Sequence, residues 1–160
     1  MALSDPSLDL PAPMALELSP GYRAGQENSR LQAISDALPD PQYVRALGLG
    51  ATHGLQRKLA ARCARLDTAI NPFLEPSANG FDLVVACDVL TRLDAPKRDA
   101  FLARAIAALG SGGHLVLAHW LDEGDADKVA ADFIALAEPH LLPVSRRKTP
   151  HYRIDVLERA

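Results

Sequence analysis

Cysteine is scarce in this chain. Of its 160 residues only Cys63 and Cys87 carry a thiol, which excludes a disulfide framework and gives no metal-ligand pattern. Both are expected to be packed thiols in a reducing compartment, and no metal site is expected. Long apolar runs are absent, so no segment is suited to cross a bilayer. The N-terminus lacks a basic region followed by a continuous apolar stretch; no signal peptide is visible, and a cytoplasmic protein is expected. An excess of positive charge is lacking too, since the formal net charge is -3. The densest basic cluster, Arg146-Arg147-Lys148, reads as the solvated edge of a strand rather than a nucleic-acid patch. Neither nucleic acid nor membrane is expected as a partner.

Apolar material is plentiful. The chain is 48% hydrophobic and 23% charged, which is enough for a core and is the balance of one ordinary domain rather than a disordered chain. Residues 1–20, with Pro6, Pro11, Pro13 and Pro20, read as an irregular arm. Residues 21–160 read as the single domain. Leu31, Ile34 and Leu38 recur at helical spacing from Ser29, and Pro39 and Pro41 stop that helix. Tyr43 to Leu49 is a short apolar strand. Leu55 to Arg65 has helical periodicity, and Asp67 to Ile70 reads as a weak strand. Asn71 to Gly80 is rich in breakers. Phe81 to Cys87 is apolar on both faces after Asp82, as a central parallel strand should be. Asp94 caps the next helix, with Pro96 in its first turn and Phe101, Leu102, Ala105, Ile106 and Leu109 as its buried stripe. Gly110, Gly112 and Gly113 end it. His114 to His119 is another buried strand, Asp125 to Glu138 a helix, and Val144 to Lys148 with Tyr152 to Leu157 a final antiparallel pair. Alternating strands and helices imply an α/β fold, doubly wound around a mostly parallel sheet with a C-terminal antiparallel hairpin.

Ligands on such sheets sit at the carboxyl ends of the strands. The fold therefore gathers Gly48, Gly50, Thr52, His53 and Gly54 with Cys87-Asp88 and His119-Trp120 on one rim. Gly50 and Gly54 read either as a cofactor-binding turn or as glycines that any strand-to-helix turn uses. Asp88 reads as a proton acceptor or amine holder, or as a carboxylate that caps a loop. His119 is the best candidate for a general base; otherwise it bonds a loop carbonyl. Cys87 is expected to be packed rather than nucleophilic, because no cation stands near it in sequence.

Four pieces of this sequence together resemble class I S-adenosylmethionine (SAM)-dependent methyltransferases, and most nearly the nodulation-type (NodS-like) N-methyltransferases. They are Tyr43-Val44-Arg45-Ala46-Leu47-Gly48-Leu49-Gly50 with Gly54, the helix around Leu59 to Cys63, Phe81 to Leu90, and the half running from Gly112 through Trp120 to Tyr152–Arg159. The resemblance implies a Rossmann-like methyltransferase fold and SAM as the cofactor. It places Gly48, Gly50, Thr52, Gly54 and Asn71 against that cofactor, and Asp88 and His119 beside the methyl acceptor.

Departures from the family pattern are chemical. Gly48 stands where the family places an acid that orients the methionine amino group. Thr52 stands where it places a glycine, and a β-branched residue is disfavoured if φ must be positive there. Asn71 stands where an acid binds the ribose hydroxyls. Only Asn71 to Gly80 separates the second strand from Phe81. A crossover alone takes roughly a dozen residues, so one helix-strand unit is missing. Each lost contact is worth on the order of 1–3 kcal/mol, and several together weaken binding by powers of ten at about 1.4 kcal/mol each. Two functions follow. One is a non-catalytic pseudo-methyltransferase that acts as a binding or partner module, through a homodimer or a partner protein at the shortened sheet edge. The other is an active SAM-dependent N-methyltransferase on a small amine or sugar-linked acceptor.

Overall fold

The computed structural model describes residues 20–50, 52–69, 79–122 and 124–160, with side chains from Ala24 onward. The expected arm over residues 1–20 lies outside this range except for Pro20, as does most of the breaker-rich loop from Asn71. In chain order the elements are α1 (Pro20–Ala37), β1 (Tyr43–Leu49), α2 (His53–Ala60), β2 (Cys63–Ala69), β3 (Phe81–Cys87), a 3-10 turn (Leu90–Arg92), α3 (Ala95–Ala108), β4 (Leu109–Trp120), α4 (Ala126–Ala137), β5 (Leu141–Lys148) and β6 (Tyr152–Arg159).

The strands form one sheet in the order β2-β1-β3-β4-β6-β5. β2, β1, β3 and β4 run parallel, while β6 runs antiparallel to both β4 and β5. This is the expected α/β arrangement with a C-terminal hairpin, and among the described residues the sheet ends at β2. β3 lies between two parallel neighbours, and Leu83, Val84, Val85 and Ala86 are all buried, so both of its faces must be apolar. On one face Phe101, Leu102 and Ala105 of α3 and Phe133 of α4 pack on Leu47, Val84, Leu115 and Leu117. On the other, Leu31, Ile34 and Leu38 of the α1 segment and Leu55 and Leu59 of α2 pack on Ala46, Val85, Val116 and Ile154. No described helix is long and apolar enough to cross a membrane.

Several boundaries differ from expectation; β5, for one, starts at Leu141 rather than Val144, and β6 runs to Arg159 rather than Leu157. α1 starts at Pro20 rather than Ser29. The buried apolar residues Leu31, Ala33 and Ile34 lie in its second half, which alone shows the apolar period, and proline is tolerated in a first turn. α2 ends at Ala60, and the following strand starts at Cys63 rather than Asp67. Pairing with β1 decides this. The Tyr43 N–H donates to the Arg62 carbonyl at 2.8 Å, and the Arg62 guanidinium donates to the carbonyls of Ser35, Pro41 and Asp40. Helical periodicity in Ala61 to Arg65 is overridden by these bonds. β4 begins at Leu109, with Gly110 to Gly113 forming an irregular insert between the pairs Phe81–Leu109 and Leu83–His114.

Asp82, on the half-buried face of β3, ties the amino ends of two strands together. Its carboxylate accepts the Val44 and Arg45 N–H groups, each at 2.8 Å. Asp82→Ala should destabilise the domain by about 1–3 kcal/mol in urea unfolding, since two backbone donors lose a charged acceptor. A change within noise would mean that water replaces the carboxylate fully.

Candidate functional site

β1 reaches the rim through Gly50, at φ +66. A Cβ at this position would collide with the Cys87 carbonyl oxygen. Glycine is therefore required by the close approach of the turn to β3, independently of any ligand. A Cβ on Gly54 would stand 2.8 Å from Leu31 Cδ1, so this glycine likewise serves the packing of α2 against α1. Thr52 carries no strain. Its φ of -74° and ψ of 169° are ordinary extended backbone, and its Oγ1 accepts the Leu55 N–H at 3.3 Å as the N-cap of α2. The expectation of a positive φ there is corrected, because the left-handed residue of the turn is Gly50. Gly48 lies inside β1 opposite Thr68 and Val85 and brings no charge. His53 is exposed at the start of α2. Asn71 lies outside the described residues.

Asp88 leaves β3 at φ 58, a conformation that Asp tolerates better than most side chains. Its N–H donates to the Ala118 carbonyl at 2.8 Å, which locks this turn to β4. Arg30 of α1 meets the carboxylate as a fork, with one guanidinium nitrogen 2.9 Å from Oδ1 and the other 3.0 Å from Oδ2. The Trp120 N–H also donates to Oδ1, at 3.3 Å. The guanidinium lies 4.0 Å from the Trp120 ring centroid and reaches Glu27 at 3.3 Å. Arg30 is only 1% exposed. Burial alone would lower its pKa, but the Asp88 hydrogen bonds and the neighbouring negative charges outweigh burial and raise it. Asp88 thus holds an internal cation.

Arg30 is the site residue that sequence reading missed. Its signal was present: Arg30, Ile34 and Leu38 stand at four-residue spacing on one stripe, so a cation on an apolar face needed a partner.

His119 lies on the α3 and α4 side of β4 and is 1% exposed. Neither ring nitrogen has a hydrogen-bond partner among the described residues. Burial pushes its pKa down to about 4, against the pull of Asp88 and with the help of Arg153, Arg30 and Arg98. No carbonyl of a described loop bonds the ring. The Cys87 thiol is pushed up to about 12, chiefly by burial, and is inert as expected. Beside His119 in the sheet register, Arg153 pairs with Asp155 at 2.7 Å and Asp127 at 2.8 Å. A cavity of about 480 Å³ opens between the 3-10 turn and the start of α4, lined by Thr91, Arg92, Arg98, Gly124, Asp125 and Val129. Among the described residues no group of three or more His, Cys, Asp or Glu side chains is placed to hold a metal ion.

Two expected outcomes follow. Arg30→Leu leaves the Asp88 carboxylate unpaired and should cost about 3 kcal/mol of stability, most of it recovered in Arg30→Leu/Asp88→Asn. Equal losses in the single and double variants would show that the pair itself is not the cause. The unfolded His119 takes up its proton near 6.5 and the folded one only near 4. Stability contributed by the neutral ring is therefore complete above 6.5 and falls as the pH drops towards 4, by about 3 kcal/mol in all. His119→Leu should remove this slope, so its advantage over wild type should grow by about 2 kcal/mol between neutral pH and pH ~5. A constant difference in urea unfolding would mean that the ring titrates normally.

No protein-family model matches this sequence, and no curated protein matches it. Solved structures do. A putative methyltransferase from Pseudomonas syringae superposes with a TM-score of 0.67 at 23% identity, over 84% of this chain and 99% of that one. N-methyltransferase NodS from Bradyrhizobium japonicum WM9, in complex with S-adenosyl-L-homocysteine, superposes with a TM-score of 0.66 at 21% identity, over 95% and 94%. A TehB-like SAM-dependent methyltransferase from Corynebacterium glutamicum gives 0.57 at 18%, over 92% and 100%. Likeness at this level of identity establishes architecture, and the architecture is the Rossmann-like fold of the SAM-dependent methyltransferases, with β2 as the last strand of the sheet among the described residues.

Proposed function

We propose that this chain is a methyltransferase-fold protein that binds no SAM at micromolar concentration, transfers no methyl group, and works as a binding or partner module. The Arg30–Asp88 pair carries this reading. Methyl transfer from a sulfonium needs an acceptor held in line, with a base where the acceptor must lose a proton. Asp88 has both oxygens committed to Arg30 and the Trp120 N–H. His119 is neutral but enclosed in the protein interior, away from solvent. The described residues also fit the cofactor poorly. Gly50 and Gly54 are accounted for by Cys87 and Leu31, and the ends of β1 and β2 supply no carboxylate for an ammonium or a ribose.

An active SAM-dependent N-methyltransferase on a small amine or sugar-linked acceptor is the second reading. It is favoured by the cavity at Thr91 and Arg92, whose volume suits a small ligand, and by NodS holding S-adenosyl-L-homocysteine in the same architecture. On this reading Asp88 would have to leave Arg30 when the acceptor arrives.

Isothermal titration calorimetry with SAM and S-adenosylhomocysteine separates the two. Absence of heat up to millimolar ligand is the expected result. Micromolar binding would overturn the proposal and direct attention to Asp88 and His119 variants in a methyl-transfer assay.

A further inference from the structure

β2 ends the sheet, and no described strand pairs with its outer edge. An edge of this kind offers unpaired backbone donors and acceptors, which proteins either block or use. The opposite edge is blocked. β5 has a register break between Pro143 and Ser145 and carries Arg146, Arg147 and Lys148, so a second copy would meet like charges. Among the described residues β2 has no such defence. It is seven residues long, regular, and free of proline.

Its charges have a particular symmetry. Arg65 and Asp67 point to one face, two residues apart, with Leu66 between them on the other. If two β2 strands pair antiparallel about Leu66, residue 65 of one copy lies opposite residue 67 of the other, and the reverse holds as well. Both contacts are then between opposite charges on the same face. Leu66 meets Leu66, and Ala64 meets Thr68. Such an interface is isologous: one patch, complementary to itself under a two-fold axis.

We propose that two copies of this chain join through β2 in this register, forming one continuous sheet. Opposite charges directly across an antiparallel pair stabilise it, and like charges destabilise it. Within one chain the Asp67 carboxylate is reached by Arg45 at 3.0 Å and by Arg65 at 3.3 Å. The Arg65 side chain is 68% exposed, so it can turn outward to the partner while Arg45 keeps its bond. Leu66, half-buried against the α2 face, gains cover from its own counterpart. The dimer stands apart from the reading of the rim and holds whether or not a cofactor binds there.

Sedimentation velocity of the full chain over a concentration series, without SAM, tests it. Wild type should form a concentration-dependent dimer. Arg65→Glu places two acids opposite Asp67 residues and should raise the dissociation constant of the dimer roughly 30-fold. Asp67→Lys should do the same by opposing Arg65. An equimolar mixture of the two variants restores opposite charges at both contacts and should dimerise again. Arg65 is exposed enough that its variant should fold, and circular dichroism checks both. A monomeric wild type, or a dimer indifferent to Arg65→Glu, would overturn the proposal.

Discussion

Arg30 brings a full positive charge to a place where the fold would otherwise leave Asp88 facing the ends of parallel strands. The pair joins three parts of the molecule that are distant in sequence: α1, the end of β3, and Trp120 at the end of β4. It also satisfies a carboxylate attached to a left-handed backbone. A buried ion pair is weak evidence of stability by itself, because removing two charges from water is expensive. Its role here is geometric. The guanidinium ties α1 to the rim on the same side of the sheet on which Leu31 and Ile34 enter the core.

The same pair changes what the glycine turn means. In many nucleotide-binding folds glycines let a backbone approach a ligand. Gly50 instead makes room for the Cys87 carbonyl, and Gly54 for Leu31. Glycine at position 50 is thus demanded by the way β1 and β3 meet, while at position 54 it eases the packing of the two helices. Its presence is evidence for the architecture and is neutral about a cofactor. Fold and function separate at this point, since the chemistry must come from side chains such as Asp88 and His119.

Strand β3 and the core of β4 were readable because apolar runs buried on both faces have no alternative. Asp94 was readable as a cap because capping is local: its carboxylate accepts the Lys97 N–H at 3.0 Å. β2 was misplaced because its start depends on Tyr43 and on bonds made by Arg62 across the chain, which no local pattern encodes. Thr52 was misjudged because the family's glycine position was taken to need positive φ, whereas here it begins a helix. At the rim, sequence located Asp88 and His119 but not their surroundings. Arg30, far away in sequence, and the enclosure of the imidazole belong to tertiary packing alone.

β6 follows β5 in the chain, yet in the sheet it lies between β4 and β5. Glu158 of β6 accepts a hydrogen bond from the His114 ring at 2.9 Å, and the other nitrogen of that ring meets the Tyr43 hydroxyl at 3.0 Å. During synthesis, β5 therefore emerges with no neighbour to pair with, and the His114 contact to the first strand lacks its third member. The sheet becomes continuous only when the segment after Thr149 slots into a gap already flanked on both sides. Loss of that segment would open a hole inside the sheet rather than shorten its border.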